Sequence, residues 1–187
     1  MMRRLAALLL LFAAFTSPVM AQTHSFGPQV GGTLPALEAN DQDGALRSVA
    51  SLSGQNGLVL LVTRAADWCP FCQRQMIDLE AAHAAIEERG WAVAAITTDS
   101  VDELARFEAR QRITYPMLSD ERADLIRALD LLDPTQPPGR RHNGLPVPTL
   151  LFVSPRGEVL AKLGDANYRV RPTTEMVLAT LDALPAR

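Results

Sequence analysis

The sequence predicts an α/β domain in which helices cover both faces of a central sheet. Three observations carry this reading. Residues 58–63 (LVLLVT) and 91–97 (WAVAAIT) are continuous apolar runs with β-branched side chains, the pattern of strands buried on both faces. Between them, residues 70–89 repeat apolar side chains at helical spacing. Strand-like and helix-like segments then keep alternating towards the C-terminus, which calls for a sheet sandwiched by helices.

The elements follow in order. Residues 34–39 and 45–49 flank Asn40-Asp41-Gln42-Asp43-Gly44, and two short segments around Asp-Gly predict a β-hairpin. After Gly54-Gln55-Asn56-Gly57 comes the first buried strand, 58–63. The helix over 70–89 presents Met76, Leu79, His83, Ala84 and Ile86, has Pro70 at its first position and ends at Gly90. The second buried strand is 91–97. Ser100-Val101-Asp102-Glu103 is a capping box that opens a helix to Arg112. Residues 115–118 form a short strand. Residues 120–132 form a helix with Leu125, Ile126, Leu129 and Leu132 on one face. Residues 133–146, rich in proline and carrying Gly139, Arg140, Arg141 and Gly144, read as a long polar loop that shapes access to a site. Residues 149–153 and 158–163 are strands joined by Ser154-Pro155-Arg156-Gly157, and a helix over 172–184 ends the series.

Composition bounds the function. A chain of 187 residues is the length of one domain, and 48% apolar residues exclude global disorder. A formal charge of -3 supplies no electrostatic case for nucleic acid. Two cysteines are too few for a disulfide scaffold or a four-cysteine zinc site. The chain starts Met1-Met2-Arg3-Arg4, continues with an apolar run over 5–15 that is too short to cross a bilayer, and reaches Val19-Met20-Ala21. This order predicts a signal peptide over 1–21 and a single domain over 22–187, periplasmic or otherwise secreted. No later run is long and apolar enough for a span, so no stable membrane insertion is expected after cleavage. In an oxidising compartment a disulfide persists.

The chemistry gathers at Trp68-Cys69-Pro70-Phe71-Cys72-Gln73. Two cysteines three positions apart at a helix start can close a disulfide within one turn. Free backbone N–H groups and the positive end of the helix dipole favour the thiolate of Cys69, the form that attacks disulfides. A static disulfide would close a very small loop and contribute little by loop entropy. Half of a metal site lacks partners, since His24, His83 and His142 show no ligand spacing; haem attachment needs a histidine where Gln73 stands. Arg64 and Arg74 are candidates for lowering the Cys69 pKa, with Asp67 opposing them. Pro70 and Phe71 place no charge or donor between the cysteines, which argues against a strongly oxidising disulfide. A second constellation, Gly144-Leu145-Pro146-Val147-Pro148-Thr149, sets a proline directly before a buried strand, where it cannot donate to the ladder.

Together these motifs resemble the thioredoxin-like superfamily over roughly residues 30–185. The resemblance maps the superfamily's Trp-Cys-x-x-Cys onto Trp68, Cys69 and Cys72, and its cis-proline motif onto Val147, Pro148 and Thr149. It implies Cys69 as attacking thiol, Cys72 as resolving thiol, and a cis Pro148 loop pairing with substrate backbone. Residues 95–100 and 113–120, with the entry hairpin at Asp43-Gly44, resemble the redoxin or peroxiredoxin-like branch, the alkyl hydroperoxide reductase and thiol-specific antioxidant type. The implied fold is a central mixed sheet flanked by helices, with an N-terminal hairpin and a strand–helix insertion over 91–132.

The expected function is that of an exported thiol–disulfide oxidoreductase cycling Cys69 and Cys72 on protein disulfides, with Trp68, Pro70, Phe71, Arg64, Val147 and Thr149 in support. It would exchange with protein thiol or disulfide substrates and an unidentified electron donor or acceptor, without a cofactor; a homodimer is open. One alternative is a thiol-dependent peroxidase with Cys69 as peroxidatic cysteine. Peroxiredoxins carry Pro and Thr (or Ser) seven and three residues before that cysteine, where this chain has Val62 and Ala66, and their late arginine has stand-ins only in Arg64, Arg140 or Arg141. A further alternative is a non-catalytic binding module.

Overall fold

In the computed structural model the described residues are 26–139 and 143–185. The predicted leader, together with Arg140, Arg141 and His142, lies outside them. The elements are β1 (Glu38–Asn40), β2 (Leu46–Ser48), α1 (Val49–Leu52), β3 (Gly57–Val62), α2 (Pro70–Glu87), β4 (Trp91–Thr97), α3 (Val101–Gln111), β5 (Met117–Ser119), α4 (Asp124–Ala128), β6 (Thr149–Val153), β7 (Val159–Gly164) and α5 (Thr174–Ala183).

The five-stranded sheet runs β5-β4-β3-β6-β7. β3 pairs parallel with β4, and β4 with β5. β6 pairs antiparallel with both β3 and β7. The mixed sheet is therefore parallel in its first half and antiparallel in its second. β1 and β2 form a separate hairpin around the Asp43-Gly44 turn.

Strand periodicity divides the core. Val59 and Leu61 of β3 face one layer with Met76, Leu79 and Ile86 of α2, Phe107 of α3 and Val177 and Leu181 of α5. Leu58, Leu60 and Val62 face the other with Leu52, Ile126, Leu129, Leu34 and Leu37. Alternate side chains of one strand thus enter opposite layers, the reason β3 is apolar at every position.

Several boundaries differ from expectation: β1 starts only at Glu38, β5 runs over Met117–Ser119, and three further differences have a visible local cause. Residues 45–49 do not continue as strand: Ser48 and Ser51 form a reciprocal capping box that starts the helical turn α1. The helix expected over 120–132 shrinks to α4. Asp120 stays outside it and its carboxylate accepts from the amides of Asp124 and Ile126 at 2.8 and 2.9 Å, while Ala123 and Asp130 take left-handed backbone at either end. α5 starts at Thr174, capped by the hydroxyl of Thr173. The Ser100–Glu103 capping box forms as expected at the start of α3.

Candidate active site

The C-terminal end of β3 delivers the chain into residues 63–69 and then into α2. Cys69 is the N-cap of α2 in extended backbone, with Pro70 at the first helical position. Its carbonyl accepts from the amides of Cys72 and Gln73 at 3.0 and 2.9 Å, closing the first turn. That turn brings the Cα atoms of Cys69 and Cys72 to 5.2 Å, and the two form a disulfide. Cys69 is 2% exposed and Cys72 is fully buried, so both sulfurs are enclosed and Cys69 is the less covered of the two. Trp68 and Phe71 are 50% and 41% exposed and rim the opening.

The loop before Cys69 is clamped from the neighbouring strand. The carboxylate of Asp99, beyond β4, accepts from the amides of Ala66 and Asp67 and from the Thr97 hydroxyl. Burial raises the Asp99 pKa above the carboxylate norm; the hydroxyl and the two amides oppose that rise. Thr98 donates through its amide and hydroxyl to the Arg64 carbonyl. From α2, the Gln73 amide donates to the carbonyls of Ala66 and Asp67. The backbone leading to the cysteine is thus held on both sides.

One guanidinium group, that of Arg171, sits beside the disulfide, and a second, that of Arg64, lies near Arg171. Arg64 is 5% exposed, lies 4.2 Å over the Tyr168 ring and donates to Gln136 Oε1 at 2.9 Å. Gln136 belongs to the long polar loop, which so contributes to the site. Arg171, between β7 and α5, donates through Nη1 to Gln75 Oε1 at 2.8 Å and Thr63 Oγ1 at 3.4 Å, and through Nη2 to Cys72 Sγ at 3.5 Å. The Nε atoms of both arginines are buried without a partner. Burial first, and the nearby Arg64 second, push the Arg171 pKa down to about 10, while Tyr168 works the other way. Tyr168 also meets Phe71 edge-on at 5.9 Å. A groove of about 280 Å³ adjoins this cluster, lined by Phe71, Arg74, Gln75, Leu150, Arg169 and Arg171 among others.

The cis-proline expectation is corrected. The described residues contain no cis peptide bond, so Val147–Pro148 is trans. The Val147 amide donates to the Leu131 carbonyl at 2.8 Å, and its own carbonyl accepts from the Thr149 hydroxyl at 2.9 Å. Both polar groups that would pair with a substrate backbone are engaged internally. Pro148 does lie at the cysteine end of the sheet, since Thr149 is opposite Val62 at the C-terminal end of β3. Arg74 turns away and pairs with Asp78 at 2.8 Å on the surface of α2. Val62 is inside the sheet and Ala66 is buried, so neither position offers a hydroxyl.

Sequence reasoning missed Arg171, Gln75, Tyr168 and Asp99. Arg171 stands 99 residues from Cys72 and carries no local motif. A polar side chain next to a buried strand was the only clue to Asp99.

A mixed five-stranded sheet with a Cys-x-x-Cys disulfide at a helix start defines a thioredoxin-like α/β redox fold. The AhpC/TSA family pattern matches residues 30–162, and the chain belongs to that family. A putative peroxiredoxin of Mycobacterium tuberculosis is 27% identical over 76% of this chain and 87% of its own. The 1-Cys peroxiredoxin A of rice is 25% identical, and the chain spans 62% of its length. The 1-Cys peroxiredoxin PER1 of maize is 26% identical and is spanned over 54%. Among solved structures, peroxidoxin BcpB of M. tuberculosis superposes with a TM-score of 0.70 at 23% identity, covering 87% of this chain and all of that one. A cysteine-to-serine mutant of Xanthomonas campestris peroxiredoxin Q gives 0.66 at 21%, covering 82% of this chain and 99% of that one. At these identities the structures speak for the fold.

Proposed function

We propose that the chain is a thiol-dependent peroxidase in which Cys69 is oxidised and Cys72 resolves it. The observation that carries this reading is the Arg171 guanidinium at the Cys72 sulfur, with Arg64 near it, beside a buried cysteine pair at a helix start. The peroxiredoxin names of its relatives point the same way.

The chemistry runs in two steps. The Cys69 thiolate attacks one oxygen of a hydroperoxide and the O–O bond breaks. The other oxygen leaves as hydroxide or alkoxide and takes a proton, and Cys69 becomes a sulfenic acid. The Cys72 thiolate then attacks the Cys69 sulfur, hydroxide leaves and takes a proton from solvent to become water, and the Cys69–Cys72 disulfide remains. The positive end of the α2 dipole favours the Cys69 thiolate, and the arginines supply positive potential where the leaving oxygen gains charge. An external thiol donor closes the cycle.

Stopped-flow mixing of reduced protein with hydrogen peroxide and with an alkyl hydroperoxide tests this. Oxidation of Cys69 orders of magnitude faster than that of a free thiol is the expected result. A rate near that of free thiol, or an undiminished rate in Cys69→Ser, defeats the reading.

A second reading, exchange with protein disulfides, is favoured by the exposed rim of Trp68 and Phe71 and by Ala66 in place of a hydroxyl. Here Cys72→Ser should trap mixed disulfides through Cys69, and failure to trap any counts against it. Export is part of the proposal and rests on the leader-like pattern of residues 1–21. Cell fractionation with N-terminal sequencing of the purified protein checks it.

A further inference from the structure

We infer that Arg171 makes Cys72 the leaving group when the disulfide is reduced, by holding the Cys72 sulfur as a thiolate. The inference rests on the Cys69–Cys72 cycle proposed above, but not on peroxide being the oxidant.

Positive charge beside the cysteines is unbalanced. Arg64 is buried and Arg171 half-buried, and each acts on the other by like-charge repulsion. Among the described residues no carboxylate pairs with either guanidinium. Their hydrogen-bond acceptors are all uncharged: Gln136 for Arg64; Gln75, Thr63 and the Cys72 sulfur for Arg171. The nearby acids are engaged elsewhere or face water. Asp78 pairs with Arg74, Asp99 bonds the loop amides, and Asp67 is exposed. Among the described residues, Tyr168 lies under the Arg64 guanidinium with Arg169 over the same ring, and Arg74 lines the same groove as Arg171. Buried cations without a counter-ion are costly, and here the missing anion is one the redox reaction itself creates.

Reduction supplies it. A thiolate of an external thiol reductant attacks the pair at Cys69, the less buried sulfur. A bond forms between the reductant sulfur and Cys69 Sγ, and the Sγ–Sγ bond breaks. The electron pair departs on Cys72 Sγ, already 3.5 Å from Arg171 Nη2. A second reductant thiolate then attacks the reductant sulfur of the mixed disulfide and releases the Cys69 thiolate. A leaving thiol of lower pKa leaves faster, and a stabilised thiolate shifts the equilibrium towards the dithiol. The uncharged Pro70-Phe71 insert therefore does not decide the redox poise. Gln75 and Thr63 hold the guanidinium in place, so Arg171 touches a reacting atom and is itself a catalytic residue.

Burial alone lifts a thiol above its ordinary value, whereas a charged donor lowers it, so the two accounts differ in sign. In Cys69→Ser, the Cys72 thiolate is titrated by its absorbance near 240 nm. The expected midpoint lies about one unit or more below the ordinary thiol value of about 8.5. Arg171→Met in that background should raise it by about one to two units, and Arg171→Lys should restore part of the shift. In the two-cysteine protein, Arg171→Met should lower the equilibrium constant for reduction by glutathione about tenfold or more. A Cys72 midpoint at or above about 8.5, or a midpoint and glutathione equilibrium indifferent to Arg171→Met, overturns the proposal. If Arg171→Met does not fold, the Cys69→Ser midpoint decides alone. None of these measurements uses peroxide, so a failed peroxidase assay and a failed leaving-group test are separate results.

Discussion

The carboxylate of Asp99 binds the backbone of Ala66: Oδ2 accepts the Ala66 amide, and Oδ1 accepts that of Asp67 at 3.3 Å. Three residues past Ala66 stands Cys69, so a side chain just beyond β4 sets where the cysteine pair sits. Asp99→Ala leaves buried amides without an acceptor, at about 1–3 kcal/mol for each group fully lost. The expected result in urea denaturation is a loss of about 2 kcal/mol or more, with faster alkylation of reduced Cys69 as the loop loosens. Asp99→Asn keeps one acceptor oxygen and should lose less. Wild-type stability in Asp99→Ala would show that other contacts anchor the loop.

Tyr115 anchors α2 from the opposite side. Its hydroxyl donates to the Met76 carbonyl at 2.8 Å within the core. Tyr115→Phe should cost about 1 kcal/mol, measured as a lower denaturation midpoint at unchanged slope. Burial, and to a lesser degree Glu80, push the Tyr115 pKa far above the ordinary phenol value. Difference absorbance near 295 nm should therefore show Tyr115 un-ionised until alkali unfolds the protein.

Gly57 opens β3 with φ 147, a backbone that side chains rarely adopt. A Cβ there would also run into the Val153 carbonyl and the Trp91 ring. Gly57→Ala should thus combine strain with a clash at the centre of the sheet. Its expected penalty of about 3 kcal/mol or more exceeds the usual effect of a surface substitution, and thermal unfolding measures it.

Asp41 predicts a pH dependence. Burial disfavours its charge, but the Arg47 side chain at 2.6 Å and the amides of Ala45 and Asp43 outweigh burial and lower its pKa below 3.8. A depressed carboxylate stabilises the fold above its unfolded pKa, and that contribution is lost as pH falls through the folded value. Asp41→Asn should therefore be less stable than wild type at neutral pH, and the gap should narrow below about pH 4. Paired urea midpoints at pH 7 and 3 read this out; a gap that widens in acid contradicts it.

Much of the molecule was legible along the chain because the deciding interactions are local. Apolar runs announced β3 and β4, the Ser100–Glu103 capping box announced α3, and Pro70 announced the start of α2. The Cys69–Cys72 pairing was legible for the same reason, since one helical turn brings the two together. Where a hydrogen bond that apolar periodicity does not show competed with the pattern, the expectation slipped. Asp120 reaches forward to cap α4 from outside and shortens it. The hydrogen bond from Val147 to Leu131 engages the backbone that a cis-proline loop would offer to substrate.

What the sequence by itself determined is the order of the main elements, the cysteine pair and its place at a helix N-terminus. Each of these depends on neighbours within a few residues. Only the tertiary structure decided the electrostatics of that pair. Arg64 enters from the loop after β3, Arg171 from the segment after β7, and Asp99 from just beyond β4. Charges act through space, and folding brings together groups whose separation along the chain leaves no pattern to read.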